Sequence, residues 1–150
     1  VIAGDGPDVK VLQEQVERLT LEDYVIFAGN VDHGDVGNYY RMADIFVSAS
    51  DTETQGLTYV EAWAAGTRSV VYDTDYTENI FDKDIFGRRF NTQQEMQEEI
   101  ISLLKQKRAK IPQEILQNKL QSISWDQFAT NVHDFYQYVI DHYQPKHEED

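Results

Sequence analysis

The sequence predicts an α/β domain with a doubly wound parallel sheet, Rossmann-like, followed by C-terminal helices. Three observations predict it. Short runs of β-branched and aromatic residues alternate with segments of helical period, as in strands joined by right-handed helical crossovers. The strand runs are apolar throughout rather than alternating, which suits a parallel sheet covered on both faces. From Thr92 onward only the helical period remains. A chain of 150 residues fits one domain, 1–150, able to bury its own core.

The elements follow in order. Val1 to Ala3 reads as the end of a buried strand stopped by Gly4-Asp5-Gly6-Pro7. Pro7 suits the first turn of a helix, and Val9, Leu12, Val16 and Leu19 recur at helical spacing. Tyr24 to Ala28 is a second strand ending at Gly29, and Val36, Tyr39, Tyr40 and Met42 mark a short helix. A third strand lies within Ala43 to Ser48. A polar loop, Ser48 to Gln55, leads into a helix over Leu57–Ala65 closed by Gly66. Ser69 to Tyr72 is a strand, Asp73 to Asp84 is irregular with one helical turn at Thr77–Phe81, and Arg88 to Phe90 is a last short strand. Helices are expected near 93–107, 112–122 and 125–143, with a frayed tail over 145–150. The chain opens inside a strand without an initiator Met, as expected of a domain truncated at its N-terminus.

Composition narrows the partners. The net charge is -14, from 27 acidic and 13 basic residues. Such a surface repels phosphate backbones, so no nucleic acid is expected. A local anion site is still compatible, because helix N-termini bind phosphate without net positive charge. There is no cysteine, which excludes thiolate chemistry and suits a reducing cytoplasm.

In doubly wound sheets ligands bind at the carboxyl ends of the strands. The loops there are Gly4 to Gly6, Gly29 to Asp32, Ser48 to Gln55, and Asp73 to Glu78. The third is the most informative. Its helix starts near Gly56, where first-turn amides have no intrahelical partner and face the loop, so a pyrophosphate can sit there. Gly56 would let a phosphate approach the backbone closely. Glu53 precedes the helix and Glu61 lies within it. Their carboxylates can each accept two hydroxyls of a ribose or hexose. A glutamate near a helix N-terminus is also favourable through the dipole alone. On two glutamates and one glycine, that structural account is the better one, since short motifs recur by chance.

The wider sequence changes the balance. Gly4-Asp5-Gly6-Pro7, Val25-Ile26-Phe27-Ala28-Gly29-Asn30-Val31, Tyr39-Tyr40-x-x-Ala43-Asp44-Ile45-Phe46-Val47-x-x-Ser50 and Glu53-x-x-Gly56-Leu57-x-x-x-Glu61-Ala62-x-Ala64-x-Gly66 occur in the order of the GT4-type (group 1) retaining glycosyltransferases. The last of these resembles the Glu-x7-Glu signature of that family. The resemblance covers residues 1 to about 80 and implies the C-terminal, donor-binding domain of a GT-B fold. Ser48-Ala49-Ser50 and Glu53 to Ala62 resemble in particular the bacterial diacylglycerol glucosyltransferases.

The resemblance implies a role for each matching residue. Glu53 is the catalytic candidate, contacting the donor sugar's hydroxyls. Amides around Gln55, Gly56 and Leu57 hold the pyrophosphate, Glu61 binds the ribose, and Val31 meets the uracil through its backbone with Asn30 beside it. Glu78 matches an acidic residue to which a structural role is given first. The donor is a UDP-sugar, UDP-glucose by the subfamily. No cofactor is implied, and no metal: Asp73, Asp75 and Glu78 read as a solvated acidic loop. The partners implied are the nucleotide-sugar, an N-terminal acceptor-binding domain and, through it, the inner face of a membrane. The Arg and Lys that usually grip the diphosphate lie upstream of the Gly-Asp-Gly turn, so this chain alone is expected to be inactive.

Two departures stand out. Arg68 replaces a frequent Pro, and Asp73-Thr74-Asp75-Tyr76-Thr77 replaces a Gly-rich loop near the sugar. The second motivates an alternative, a non-catalytic glycosyltransferase-like domain that binds a protein. Outside the signature, His33 reads as an incidental loop residue, and His133, His142 and His147 have no ligand-like partner set. Trp63 and Trp125 read as core, and Phe135, Tyr136, Tyr138 and Tyr143 as packing. In the family the C-terminal helix crosses to the other domain, so an aromatic stripe there would be uncovered here.

Overall fold

A computed structural model describes residues 1–52, 56–81, 84–106 and 111–143. Five strands and seven helices alternate as expected: β1 (Ile2–Ala3), α1 (Val9–Arg18), β2 (Phe27–Gly29), α2 (His33–Met42), β3 (Ile45–Ser48), α3 (Leu57–Ala64), β4 (Arg68–Tyr72), α4 (Asp75–Ile80), β5 (Gly87–Phe90), α5 (Gln93–Lys105), α6 (Gln113–Ser122) and α7 (Trp125–His142). Every described ladder is parallel. β1 pairs with β2, and β4 lies between β3 and β5, with Val70 opposite Val47 and Arg88.

The pleat of β4 explains why the three-stranded sheet is doubly wound. Successive strand residues point to opposite faces, and Val70 and Val71 enter different cores. Val71 joins Tyr59 and Trp63 of α3 with Phe81, Phe86 and Ile111. Val70 joins Phe90 and Leu103, with Met96 and Ile100 of α5 packed beside them. Trp63 is fully buried, and its indole N–H donates to the Phe86 carbonyl at 3.1 Å. That bond satisfies the one polar atom of the largest core side chain.

Coverage on both faces holds for β4 and β5 but not for β1, β2 and the edge strand β3, where Val47 is 41 % exposed. Ile2 is 39 % exposed, and β2 is only half-buried. β2 also begins three residues later than its apolar run. The chain leaving α1 turns through Thr20 at φ 57°, and the amides of Tyr24 and Val25 both donate to the Leu21 carbonyl. Those amides are committed to a turn, and Tyr24 is left 80 % exposed.

Two further expectations are corrected. The segment after β4 is more regular than its composition suggests. Thr74 and Thr77 form a reciprocal capping box that starts α4 at Asp75, and the Thr77 hydroxyl also donates to the Tyr72 carbonyl at 2.9 Å. Trp125 is surface rather than core, and Phe135, Tyr136, Tyr138 and Tyr143 form the uncovered stripe that the family resemblance implied rather than packing, all at least 60 % exposed. Helical spacing identified a face of α7 without identifying anything that covers it, and α7 has no buried residue.

Arg68 acquires a structural role. Its side chain is buried and donates to the Gln106 side chain at 2.8 Å and the Leu103 carbonyl at 3.3 Å. It therefore ties the start of β4 to the C-terminus of α5, where unpaired carbonyls favour a cation. Burial, and then the nearby Arg88, lowers its pKa. Arg68→Ala is expected to cost about 1–3 kcal/mol, because it strips these acceptors and leaves a void. Chemical denaturation checks this, and an unchanged midpoint would refute the tie.

Candidate functional site

The carboxyl ends of the strands carry the predicted loops in two groups, one on β1–β2 and one on β3–β5. Gly4 follows β1 at φ 125°, and its amide donates to the Gly29 carbonyl at 2.7 Å. That bond joins the Gly-Asp-Gly turn to the loop holding Asn30 and Val31. Asn30 is exposed, and Val31 is half-buried. Asp32 stands at the N-cap of α2 without a side-chain capping bond.

The second group is built on α3. Gly56 is its N-cap, buried, with left-handed backbone at φ 54°. A side chain there would strike the Tyr76 ring, whose Cε1 lies 2.6 Å from the position of a Cβ. The need for glycine is therefore explained locally, by backbone conformation and by Tyr76, without invoking close approach of a ligand. Tyr76 comes from α4, so the segment that departs from the Gly-rich pattern is what packs onto the helix start. Leu57 is 60 % exposed. The Thr58 hydroxyl oxygen is buried and has no hydrogen-bond partner among the described residues. An unsatisfied hydroxyl in the first turn is costly unless something fills it, and first-turn amides lack intrahelical acceptors by position. The first-turn amides make this helix start suited to an anion.

Glu53 and Gln55 lie outside the described residues. Glu61 lies inside them, half-buried in the second turn of α3. Tyr40 of α2 is near enough to feel its charge. Burial, then the Glu61 charge and a hydrogen bond to it, push the Tyr40 pKa up to about 12. The phenol thus stays protonated near neutral pH. Among the described residues no Lys or Arg pairs with Glu61.

The acidic residues after β4 do not act together. Asp73 accepts from Arg89 at 2.5 Å and from Asn91 at 3.4 Å. Asp75 and Glu78 are exposed in the first turn of α4, where negative charge is favoured by the helix dipole. Glu78 is therefore placed as a helix-start acid. Among the described residues no group of three His, Cys, Asp or Glu is arranged to hold a metal.

Three residues of this region gain roles from the structure: Tyr40, Thr58 and Tyr76. Tyr40 carries a sequence signal, its place in the Tyr-x-x-Ala-Asp run. Thr58 lies within the Glu53 to Ala62 run, whereas Tyr76 carries no such signal, because its position depends on the tertiary approach of α4 to α3.

Comparison with known proteins agrees with this fold. The family described as "Glycosyl transferases group 1" matches residues 1–122. The chain is 37 % identical over 136 residues to an alpha-monoglucosyldiacylglycerol synthase of Streptococcus pneumoniae, covering 91 % of this chain and 31 % of that protein. It is 39 % identical over 103 residues to the protein of that name from Acholeplasma laidlawii, covering 69 % of this chain and 26 % of that one. The chain thus spans about a third or less of these relatives. Among solved structures, the pneumococcal O-GlcNAc transferase GtfA in complex with UDP and GlcNAc superposes with TM-score 0.72 at 18 % identity, over 93 % of this chain and 29 % of that one. Anabaena Alr3699/HepE in complex with UDP and glucose superposes with TM-score 0.71 at 20 % identity, over 91 % of this chain and 39 % of that one. These likenesses show the shared fold, a parallel sheet flanked by helices. The family match spans every described strand and extends through α6, and on it this chain belongs to the group 1 glycosyl transferases.

Proposed function

We propose that this chain is the donor-binding part of a longer retaining glycosyltransferase that moves a hexose from a UDP-sugar to an acceptor hydroxyl. The observation that carries the reading is the start of α3: a left-handed Gly56 N-cap followed by first-turn amides without intrahelical partners, with Glu61 one turn further on. An anion at the helix start and a vicinal diol at Glu61 are what a nucleoside diphosphate presents. Two solved structures of the same fold, described as complexes with UDP, support the nucleotide class.

In this reading the amides of Gln55, Gly56 and Leu57 take the pyrophosphate, and Glu61 takes the ribose hydroxyls. Asn30 and Val31 meet the base, and Glu53 meets the donor sugar near the reacting carbon. The bond from the anomeric carbon to the diphosphate breaks, a bond to the acceptor oxygen forms, and the acceptor gives up its proton. Negative charge develops on the leaving diphosphate, where preorganised N–H donors stabilise it most. No metal has a place in this scheme. The finer assignment is glucose as the hexose and a diacylglycerol-type lipid as the acceptor, supported by the names of the two bacterial relatives. The acceptor would be bound by an N-terminal domain at the cytoplasmic membrane face. No helix among the described residues is long and apolar enough to cross a membrane.

Titration calorimetry of UDP-glucose into the protein carrying its upstream part tests the reading. Saturable binding is expected, and Glu61→Ala should weaken it about 10-fold or more, since it removes hydrogen bonds to a charged group. The absence of binding would sink the donor-site reading and favour a non-catalytic protein-binding domain. Turnover by the 150-residue chain alone would contradict the need for a separate acceptor domain.

A further inference from the structure

The stretch Asp73 to Thr77 carries one bulky side chain, Tyr76, and the donor-site reading gives it no task. The structure puts its ring at the start of α3. The ring's Cε1 lies 2.6 Å, and its hydroxyl oxygen 2.9 Å, from where a Cβ of Gly56 would stand. The phenol therefore fills the space that a side chain at position 56 would take. With a carbon–carbon bond of about 1.5 Å, its hydroxyl is within about 4.5 Å of the Gly56 Cα.

The ring is held at both ends. Its backbone lies between Thr74 and Thr77, whose hydroxyls accept from each other's amides at 2.8 and 3.1 Å. Thr77 is fully buried, and its hydroxyl donates to the Tyr72 carbonyl at the end of β4. The ring itself packs against the core cluster that contains Tyr59, Trp63 and Phe81. A side chain fixed in this way is a wall, and a ligand group that overlaps a wall loses affinity.

In the donor-site reading the base belongs to the loops on β1–β2, and the phosphates and sugar to those on β3–β5. Tyr76 stands in the second group, beside the helix start that takes the phosphates. A hexose is joined to the diphosphate through C1, so its nearest further substituent is the one on C2. The fold itself does not select that substituent, since the two solved structures that share it hold GlcNAc in one case and glucose in the other. The selection must come from side chains at the site.

We infer that Tyr76 is a specificity-determining residue for the donor: its ring limits the space beside the phosphates to a hexose with a hydroxyl on C2, and rejects one with the larger N-acetylamino group. This inference rests on the reading of the start of α3 given above.

The test measures binding of UDP, UDP-glucose and UDP-N-acetylglucosamine by calorimetry to the protein carrying its upstream part. The variants are Tyr76→Phe and Tyr76→Ala, and melting curves confirm folding. The unaltered protein is expected to prefer UDP-glucose to UDP-N-acetylglucosamine by about 10-fold or more. Tyr76→Phe keeps the ring and should keep that ratio within about twofold. Tyr76→Ala should move the ratio about 10-fold or more toward UDP-N-acetylglucosamine, while UDP itself stays within about threefold. An unchanged ratio in Tyr76→Ala overturns the inference, and so does an unaltered protein that takes both sugars equally. Equal weakening of all three ligands in Tyr76→Ala would show that the ring only supports the helix, and overturns it too. A ratio that moves as far in Tyr76→Phe as in Tyr76→Ala would assign the selection to the hydroxyl and overturn the steric limit. If the unaltered protein does not bind UDP at all, the donor-site reading fails, and the inference with it. Should Tyr76→Ala not fold, Tyr76→Leu takes its place, because it keeps apolar cover on the core and removes the outer part of the ring. The same shift of the ratio is then expected, and an unchanged ratio overturns the inference.

Discussion

Gly87→Ala is expected to lower the stability of the domain by about 3–5 kcal/mol, a large part of what a domain of this size has in hand. Gly87 opens β5 at φ 150°, a backbone conformation that side chains rarely adopt. A Cβ on it would collide with the backbone carbonyl of Ser69. Neither neighbour can retreat. Ser69 is in β4, fully buried, and its amide donates to the Phe86 carbonyl at 3.0 Å. Phe86 lies against Trp63, their centroids 4.9 Å apart. Relief of the collision would have to open the β4–β5 ladder or the aromatic core beside it. Chemical denaturation measures the loss, and Gly34→Ala and Gly37→Ala are the controls. Both positions lie in α2, with nothing within 4 Å of an added Cβ, so alanine should raise stability by about 0.5–1 kcal/mol at each. A Gly87→Ala protein as stable as the unaltered one would mean that the two strands are not packed at this distance.

What could be read from the sequence follows from which interactions are local. Short continuous apolar runs located all five described strands and the 3.6 period the long helices, because both report burial within a short window. β4 was legible for that reason: Ser69 to Val71 are fully buried. The apolar run before β2 misled, because Tyr24 and Val25 turn their amides back to Leu21 and leave the ring in solvent. The same gap between pattern and partner accounts for α7. Its aromatic residues have helical spacing, but spacing cannot say whether a face is covered. At the site, Glu61 and Gly56 were legible through a motif of fixed spacing on one loop and helix. Tyr40, 21 positions before Glu61, was visible only as part of another motif, and the fold alone brings it within reach of the Glu61 charge. Tyr76 was the reverse of its sequence impression: a residue from a divergent loop turned out to pack at the start of α3.

That contact makes Gly56 the most sensitive single position in the proposed donor site. Gly56→Ala is expected to weaken UDP binding at least 10-fold while costing about 2–3 kcal/mol of stability. Two physical terms contribute. A left-handed backbone costs a non-glycine residue about 1–2 kcal/mol, and φ at Gly56 is 54°. The added methyl group also meets Tyr76 at Cε1 and Tyr59 at Cδ2, at 2.6 and 2.9 Å. Tyr59 is fully buried and cannot give way, whereas Tyr76 is only half-buried. The methyl group would therefore displace either the Tyr76 ring or the first turn of α3, whose amides are the proposed pyrophosphate ligands. The two outcomes are separable. In Gly56→Ala/Tyr76→Ala the ring is gone but the backbone term stays, so about half of the lost stability should return. If the first turn was displaced by the ring, UDP affinity should return with it. If affinity stays low in the double variant, the left-handed N-cap itself aims the amides. Wild-type UDP affinity in Gly56→Ala would remove the start of α3 from the binding site altogether, because no other described element presents unpaired amides and a buried hydroxyl without a partner at the same place.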